Sequence, residues 1–291
     1  MRGVALGALA APAVLSVLGF APSGGLESAV PAIPLGVTGA QGPGTRVVAV
    51  GDIAYPGGPY AQTAALTRAL APQRVLMAGD TVYPSGTVAQ YSATFDPSWG
   101  EFRSIWLPVP GNHEYRTKRA AGYRTYFGER GGLYWSRKVG AWRVIGLDSE
   151  RITRTQKRWL KRTLRRHDGK PTLVMWHRPR YSRGDHSDQR DTQSLFRIVR
   201  ADRDVKLLIW GHDHNYERMA IPVRSRRLDA FVVGTGGAAL RCGITNSARA
   251  WSSVHNCRTH GVLDLRLAKS SFSWAFVSVD GKVLDRGTRE W

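Results

Sequence analysis

Short runs of apolar residues recur along the chain, and stretches with helical periodicity lie between several of them. The apolar run at 47–50 is followed by a helical pattern near 60–70, and the run at 142–147 is followed by a helical pattern at 153–166. Further apolar runs of strand length lie at 75–78, 105–109, 172–176 and 205–210. Strands that alternate with helices predict an α/β domain, whose ligands bind at the carboxyl ends of the strands.

The last third of the sequence is β-rich. An apolar run at 230–233 and two longer runs at 262–267 and 272–279 precede an Asp280-Gly281 turn, which is a strong hairpin signal. These runs predict a second sheet packed on the first. Because no Pro/Gly-rich linker interrupts residues 46–291, we expect a single domain of the α/β class, with two packed mixed β-sheets flanked by helices.

Residues 1–40 have the composition of an export segment rather than of a fold. Arg2 precedes an uncharged run rich in Ala, Leu and Val at 3–20, and Thr38-Gly39-Ala40 offers the small residues that a signal peptidase requires. Residues 41–45 are the end of a linker. The segment predicts a secreted or extracytoplasmic protein without a stable membrane span after processing. An uncleaved anchor is the alternative, since the apolar run is almost long enough to cross a bilayer.

The two cysteines, Cys242 and Cys257, agree with export to an oxidising compartment. A bridge between them would close a loop of about 15 residues. The segment between them includes Gly243, Asn246, Ser247 and Asn256 and lacks a strong core pattern, so it is interpreted as a loop. We therefore predict a Cys242–Cys257 disulfide, and two buried thiols are the alternative.

Five short motifs, placed at or directly after the apolar runs, contain the side chains that bind hard metal ions. They are Gly51-Asp52, Gly79-Asp80 with Tyr83, Gly111-Asn112-His113-Glu114, His177, and Gly211-His212-Asp213-His214. A single Gly-Asp pair is also common in ordinary turns. Together, however, the carboxylates, phenol, amide and imidazoles could enclose two metal ions, which indicates an enzyme.

These motifs resemble the calcineurin-like metallophosphoesterase superfamily and, more narrowly, the purple acid phosphatases. Gly79-Asp80-Thr81-Val82-Tyr83 is similar to that family's Gly-Asp-x-x-Tyr motif, and residues 211–218 are similar to its Gly-His-x-His-x-Tyr-Glu-Arg motif. The first motif departs from the family, which usually has Gly where this chain has Ala54. The resemblance implies an α/β/β/α sandwich fold.

The resemblance also implies two sets of metal ligands that share one carboxylate. The first set is Asp52, Asp80, Tyr83 and His214. The second set is Asp80, Asn112, His177 and His212. Fe(III) is implied at the Tyr83 set, and Fe, Zn or Mn at the other.

By the same resemblance, a metal-bound hydroxide would attack phosphorus in line and release an alcohol. His113 would protonate or steady the departing oxygen. His186 is similar to a histidine that faces the substrate in the family. The implied function is an exported acid phosphatase-like hydrolase acting on anionic phosphomonoesters.

The first two motifs share one pattern, Gly-Asp-x-x-Tyr-Pro-x-Gly, at 51–58 and at 79–86. On spacing alone, Tyr55 is therefore as good a metal ligand as Tyr83. The family pattern favours Tyr83, and we predict that Tyr55 packs against the site or lines its mouth.

The chain is strongly basic, with a formal net charge of +20 over 291 residues and only eight lysines among 42 basic residues. Such a charge favours anionic partners. No dedicated nucleic-acid binding is expected, because the basic residues are dispersed in sequence and form no nucleic-acid motif. Two alternatives stay open: a phosphodiesterase acting on nucleotides or phospholipid head groups with the same metal core, and a catalytically dead basic protein that binds surfaces.

Overall fold

The computed structural model of the protein describes residues 1, 3, 37–166, 169–245 and 251–291. The chain divides into two compact units, Met1–Val30 and Pro31–Trp291. Nearly all of the predicted export segment lies outside the described residues, so its structure stays a prediction. Among the residues that are described, no helix is both long and apolar enough to cross a membrane.

The second unit contains thirteen described strands. They are β1 Thr45–Val50, β2 Arg74–Met77, β3 Trp106–Pro108, β4 Trp135–Val139, β5 Trp142–Gly146, β6 Thr172–Met175, β7 Val205–Trp210, β8 Tyr216–Val223, β9 Arg226–Val233, β10 Ser252–Asn256, β11 Gly261–Leu267, β12 Ser271–Ser278 and β13 Val283–Glu290.

The described α-helices are α1 Tyr60–Leu70, α2 Val88–Gln90, α3 Asp96–Trp99, α4 Ala121–Phe127, α5 Arg154–Arg165 and α6 Gln193–Ala201. A π-turn at Tyr91–Phe95 joins α2 to α3. Short 3₁₀ turns lie at Gly100–Phe102, Glu114–Arg116, Lys118–Ala120, Gly128–Gly131 and Arg190–Thr192.

The strands form two mixed sheets, as predicted. The first has the order β13-β12-β11-β1-β2-β3, and the second has the order β10-β8-β9-β7-β6-β5-β4. The parallel pairs β1–β2, β2–β3, β5–β6 and β6–β7 bring their carboxyl ends to the same edge of each sheet.

The partition of strands between the sheets differs from the prediction. The C-terminal strands β11, β12 and β13 do not build the second sheet, because β11 pairs antiparallel with β1 and extends the first one. The alternation and the Asp280-Gly281 turn predict which strands pair as a hairpin, but not the sheet that the hairpin joins. That choice depends on the free edge of β1, which is visible only in the folded chain.

The core has three apolar layers. Side chains from both sheets meet in the middle layer, which includes Val47, Leu76, Leu207 and Phe272. The outer face of the first sheet packs against α1, and the outer face of the second packs against α5 and α6. This order of helix, sheet, sheet and helix is the predicted sandwich.

Two features tie down the periphery. Ala40, at the end of the predicted export segment, is buried, and its amide donates to Asp264 in β11 (2.8 Å). Cys242 and Cys257 form the predicted disulfide, with Cα atoms 5.2 Å apart. The segment that the disulfide closes is not entirely a loop, because β10 pairs with β8 inside it.

Candidate dinuclear metal centre

The five motifs meet where the carboxyl ends of strands from both sheets come together. β1, β2 and β3 lead into Asp52, Asp80 and Asn112, and β6 and β7 lead into His177 and His212. Asp52, Asp80 and His212 all have positive φ, at 58°, 48° and 71°. Non-glycine residues seldom adopt this conformation, and such backbone strain is concentrated at functional sites.

The Tyr83 hydroxyl lies at the centre of the first predicted ligand set. It is 3.1 Å from Asp52 Oδ1, 3.4 Å from Asp80 Oδ2 and 3.3 Å from His214 Nε2. His214 Nε2 is in turn 3.4 Å from Asp52 Oδ1. All four side chains are almost fully buried. The four donor atoms therefore surround one small volume.

His177 Nε2 lies at the centre of the second set. It is 3.3 Å from Asp80 Oδ2, 3.2 Å from Asn112 Oδ1 and 3.2 Å from His212 Nδ1. Asp80, His177 and His212 form a buried group whose ligand atoms lie within 4.8 Å of one another. Asp80 Oδ2 belongs to both sets, so the seven predicted ligands form two adjoining groups around one shared oxygen.

Hydrogen bonds behind the ligands hold their orientation. His177 Nδ1 and His214 Nδ1 each lie 2.8 Å from a backbone carbonyl, of Ala78 and Ala239 respectively. A carbonyl only accepts, so each Nδ1 carries a proton and each Nε2 atom faces the site. The second oxygen of Asp52 accepts from the amide of His212 (2.8 Å).

The site concentrates charge that burial disfavours. Burial alone would raise the pKa of Asp80, but His177 outweighs it and holds this pKa well below its ordinary value. Burial opposes protonation of His177, yet the Asp80 carboxylate raises the pKa of His177 to about 10. Burial, with Asp52 and Asp80, raises the pKa of the Tyr83 phenol well above its ordinary value. Without metal, protons therefore balance the buried carboxylates.

The donor set fits two metal ions. Carboxylates, a phenol and imidazoles are the ligands that highly charged and borderline cations prefer. The bridging position falls to a carboxylate, which has the lone pairs to serve both groups. Every position in the two sets holds a residue that is able to bind a metal ion.

One contact has to change when metal binds. Arg178 Nη1 lies 3.3 Å from His212 Nε2, and a guanidinium only donates, so this contact requires an unprotonated Nε2. A metal ion held through Nδ1 would leave the ring proton on Nε2, and Arg178 would then have to release that atom. The ion pair between Arg178 and Glu150 (2.8 Å) gives the guanidinium another partner.

The two predicted catalytic histidines border the ligand groups. The His113 ring packs 4.2 Å from the Tyr83 ring, its Nδ1 lies 2.6 Å from the Pro84 carbonyl, and its Nε2 lies 3.9 Å from Asp80 Oδ2. The His186 ring lies 4.2 Å from the His212 ring, and its Nδ1 is 3.2 Å from Asp213. Burial lowers the pKa of His113, although Asp80 opposes the shift.

Arg241 is a site residue that the sequence analysis missed. Its Nη1 lies 3.2 Å from His186 Nε2, and its backbone amide donates to the His214 carbonyl (3.0 Å). The adjoining Thr245 donates to the Gly184 carbonyl (2.7 Å), which packs this loop on the His186 loop. The only sequence signal was the position of Arg241 beside Cys242, because the motifs end at residue 218.

Glu114 is not a metal ligand but holds the second and third motifs together. Its fully buried carboxylate accepts from the amides of Asp80 (2.9 Å), Thr81 (2.8 Å) and Gly111 (2.7 Å). Burial, with the nearby Asp80, raises the pKa of Glu114 to about 7.

The structure distinguishes the two tyrosines with equivalent spacing. The Tyr83 hydroxyl lies among the ligand atoms, whereas Tyr55 is 44% exposed and packs edge-on against Tyr83, with ring centroids 5.3 Å apart. The positions agree with the prediction that Tyr55 lines the mouth of the site.

Residues 45–216 match the family model described as calcineurin-like phosphoesterase. The match covers more than half of the chain and includes every predicted metal ligand. A comparison with curated protein sequences found no significant match.

Three solved structures share the fold at low sequence identity. A purple acid phosphatase from yellow lupin (Lupinus luteus) seeds superimposes with a TM-score of 0.69 at 19% identity, over 86% of this chain and 55% of the lupin chain. The anchor protein of the inner membrane complex of Plasmodium gives 0.70 at 14% identity, over 84% and 88%. A dimetal phosphatase from Danio rerio gives 0.58 at 14% identity, over 86% and 100%. The chain thus spans about half the length of the lupin enzyme.

Proposed function

The chain belongs to the calcineurin-like phosphoesterase family, and from this premise we propose that it is a dinuclear metallophosphatase that hydrolyses phosphomonoesters outside the cytoplasm. The observation that supports the proposal most directly is the pair of buried donor groups that share Asp80 Oδ2. Proteins place several ionisable groups in such contact at a cost in stability, and metal or catalytic sites are the usual reason.

The protein's own residues prepare the site in two ways. Asp52, Asp80, Tyr83 and His214 would hold one metal ion, and Asp80, Asn112, His177 and His212 would hold the other. When bound, the two ions supply an acidified water as nucleophile and offset the charge of the phosphoryl group. The backbone carbonyls of Ala78 and Ala239 hold Nδ1 of His177 and of His214, so that the Nε2 atoms are directed inward before metal arrives.

His113 is placed to hold a proton for the departing oxygen. The Pro84 carbonyl engages Nδ1, so the ring is held with Nε2 towards the ligand groups. Arg241 and His186 lie side by side at the other border of the site, where the Arg241 guanidinium offers donors to a phosphate oxygen. The charge of the substrate is thus met from two sides.

The presence of Tyr83 in the first set supports Fe(III) at that position, because an anionic phenolate favours a small, highly charged ion. Fe, Zn or Mn is proposed for the second set. Secretion is proposed from the composition of residues 1–40 and from the Cys242–Cys257 bridge.

The test is elemental analysis and a visible spectrum of the purified protein, with parallel assays on a phosphomonoester and a phosphodiester. We expect two metal ions per chain including iron, a tyrosinate absorption band, and faster turnover of the monoester. A diester preference would assign a phosphodiesterase instead. A protein that neither takes up metal nor acquires activity on reconstitution would contradict the proposal altogether.

A matched substrate pair tests the role of His113. His113→Asn should lower kcat far more for an alkyl phosphate than for p-nitrophenyl phosphate, because only the alkoxide leaving group needs a proton. An equal loss on both substrates would show that His113 acts on the site in another way.

A further inference from the structure

The groove between α5 and α6 carries positive charge that no described residue neutralises. Five cations line it, namely Arg154, Lys157, Arg158, Lys161 and Arg197, in a groove of about 660 Å³. None of the five forms an ion pair with a described residue. Asp202 borders the adjoining depression beside Lys161 and already accepts the amide of Asp204.

The positive charges of α5 lower the stability of the helix. Its cations form like-charge i,i+4 pairs at 154/158, 157/161, 158/162 and 161/165, and each such pair opposes the helix. Arg154 and Lys157 also place positive charge in the first turn, where the helix dipole disfavours it, and no acidic residue lies there. An anion bound along the groove would relieve both penalties.

The form of the groove selects the kind of anion. One helical turn advances about 5.4 Å, so cations that recur every three or four residues lie about one turn apart. They match a chain whose charges repeat at a comparable interval. Ile198 and Ala201 contribute apolar atoms to the lining of the groove. Of the described large apolar side chains that are exposed, none belongs to α5 or α6, so the groove offers no residue for membrane insertion.

We propose that this groove binds a flexible linear phosphodiester chain through its backbone phosphates. None of the described residues that line it is aromatic, so binding through them does not depend on base stacking and is indifferent to sequence. A polyol phosphate and a single-stranded nucleic acid share this chemistry. α5 follows β5 and α6 follows β6, and these two parallel strands end at the same edge of the second sheet, where β6 leads into His177. The Arg154 end of the groove therefore lies on that side of the sheet.

The proposal does not rest on catalysis, and its test is a binding measurement. Fluorescence anisotropy of the full-length, metal-loaded protein would be recorded with labelled poly(glycerol phosphate) and labelled oligo-dT across a series of salt concentrations. The groove variant is Lys157→Gln/Lys161→Gln/Arg197→Gln. The control, Lys138→Gln/Arg227→Gln/Arg286→Gln, removes the same charge from exposed positions elsewhere.

We expect the groove variant to weaken binding at least tenfold and to reduce the slope of log K against log salt by about 2, since each neutralised phosphate contributes about 0.7 on a single strand. The control should bind like the wild type, and both variants should hydrolyse p-nitrophenyl phosphate normally. Tighter binding of one polymer would show whether the ligand is a polyol phosphate or a single-stranded nucleic acid.

Two results would overturn the proposal. Equal weakening in the control would show that binding reflects the net charge of the whole protein. Binding to anionic phospholipid vesicles, with no binding to either polymer, would show that the surface serves a membrane.

Discussion

Asp80 and His177 show how strongly single residues determine the state of the site. Each is buried, and each stabilises the charge of the other across 3.3 Å. In the metal-free protein, a proton on His177 therefore occupies the position that a metal ion would take. Metal binding at this group is an exchange of a proton for a cation.

The exchange predicts that metal affinity increases with pH over an unusual range. An ordinary histidine loses its proton near 6.5, but His177 keeps its proton up to about 10, so the affinity of the metal-free protein for Zn²⁺ should continue to rise between these values. Competition titrations with a chromogenic chelator at pH 7, 8 and 9 would measure it. An affinity that levels off above pH 7 would mean that His177 is already neutral.

Tyr83 and Tyr55 provide a matched pair for a second prediction. Tyr83→Phe removes a hydroxyl that contacts three ligands, so we expect loss of the visible absorption band and weaker binding of the first metal ion. Tyr55→Phe changes an exposed ring with no such contact and should leave both unchanged. The assignment fails if the band disappears with Tyr55 and survives without Tyr83.

The seven proposed ligands were all identifiable from sequence, because each lies in a short motif directly after a strand. The neighbours that shape their chemistry were not. Arg241 lies in no motif, and the contact of Arg178 with His212 joins residues 34 positions apart. Local patterns report the ends of strands, whereas such contacts depend on how separate loops pack.

At the scale of secondary-structure elements, hydrogen bonds between the turns that follow neighbouring strands join the motifs to one another. Glu114 begins the 3₁₀ turn after β3, and its carboxylate binds the amides of the turn after β2. Strand positions were predicted well for the same reason as the ligands. The pattern did not reveal β4, β8, β10 or α6, and of these β4 and β10 have no two adjacent apolar residues.

Replacement of this carboxylate tests the link between the two turns. Glu114→Gln leaves one acceptor oxygen and puts a donor amide against backbone N–H groups, so we expect a loss of about 1–3 kcal/mol of unfolding free energy for each donor left unpaired. Metal affinity should fall as well, because the backbone amide of the ligand Asp80 is one of the donors to Glu114. Glu101→Gln, on an exposed pair with Arg68, is the control. Urea denaturation of both would show whether the effect is specific.

The Cys242–Cys257 bridge closes the segment that carries Thr245, and Arg241 directly precedes this segment. Cys242→Ser/Cys257→Ser should lower the unfolding free energy by about 3 kcal/mol, the value for a loop of this length. Because this loop packs on the His186 loop, KM should rise more than kcat falls. Mild reduction of the wild type should reproduce both changes, and a variant with unaltered KM would separate the bridge from substrate binding.

The whole molecule is two sheets with a buried apolar layer between them, and the ligand groups draw on both. The predicted class and layers were recoverable from alternating strands and helices, but the sheet joined by β11–β13 was not. The edge strand β13 alternates half-buried and exposed positions and carries Asp285, Arg286 and Arg289, charges that discourage pairing with another chain.

Because metal binds only the folded arrangement, its removal should destabilise the entire unit. Dialysis against a chelator is expected to lower the melting temperature, and metal at about 100 times its dissociation constant should restore about 2.7 kcal/mol. Asn112→Ala should show a smaller difference between the two states, since it removes one ligand of the second group. Identical melting with and without metal would contradict binding to the folded site.

The position of the ligands at the meeting edge of the two sheets has a thermodynamic consequence in the opposite direction. Coupling between two equilibria is reciprocal, so whatever metal contributes to the fit between the sheets, that fit contributes equally to metal affinity. Trp135, whose indole donates to the Pro108 carbonyl across the sandwich, touches no ligand. A smaller side chain at this position would weaken the packing between the two sheets. In a binding measurement this would be observed as a lower affinity for metal.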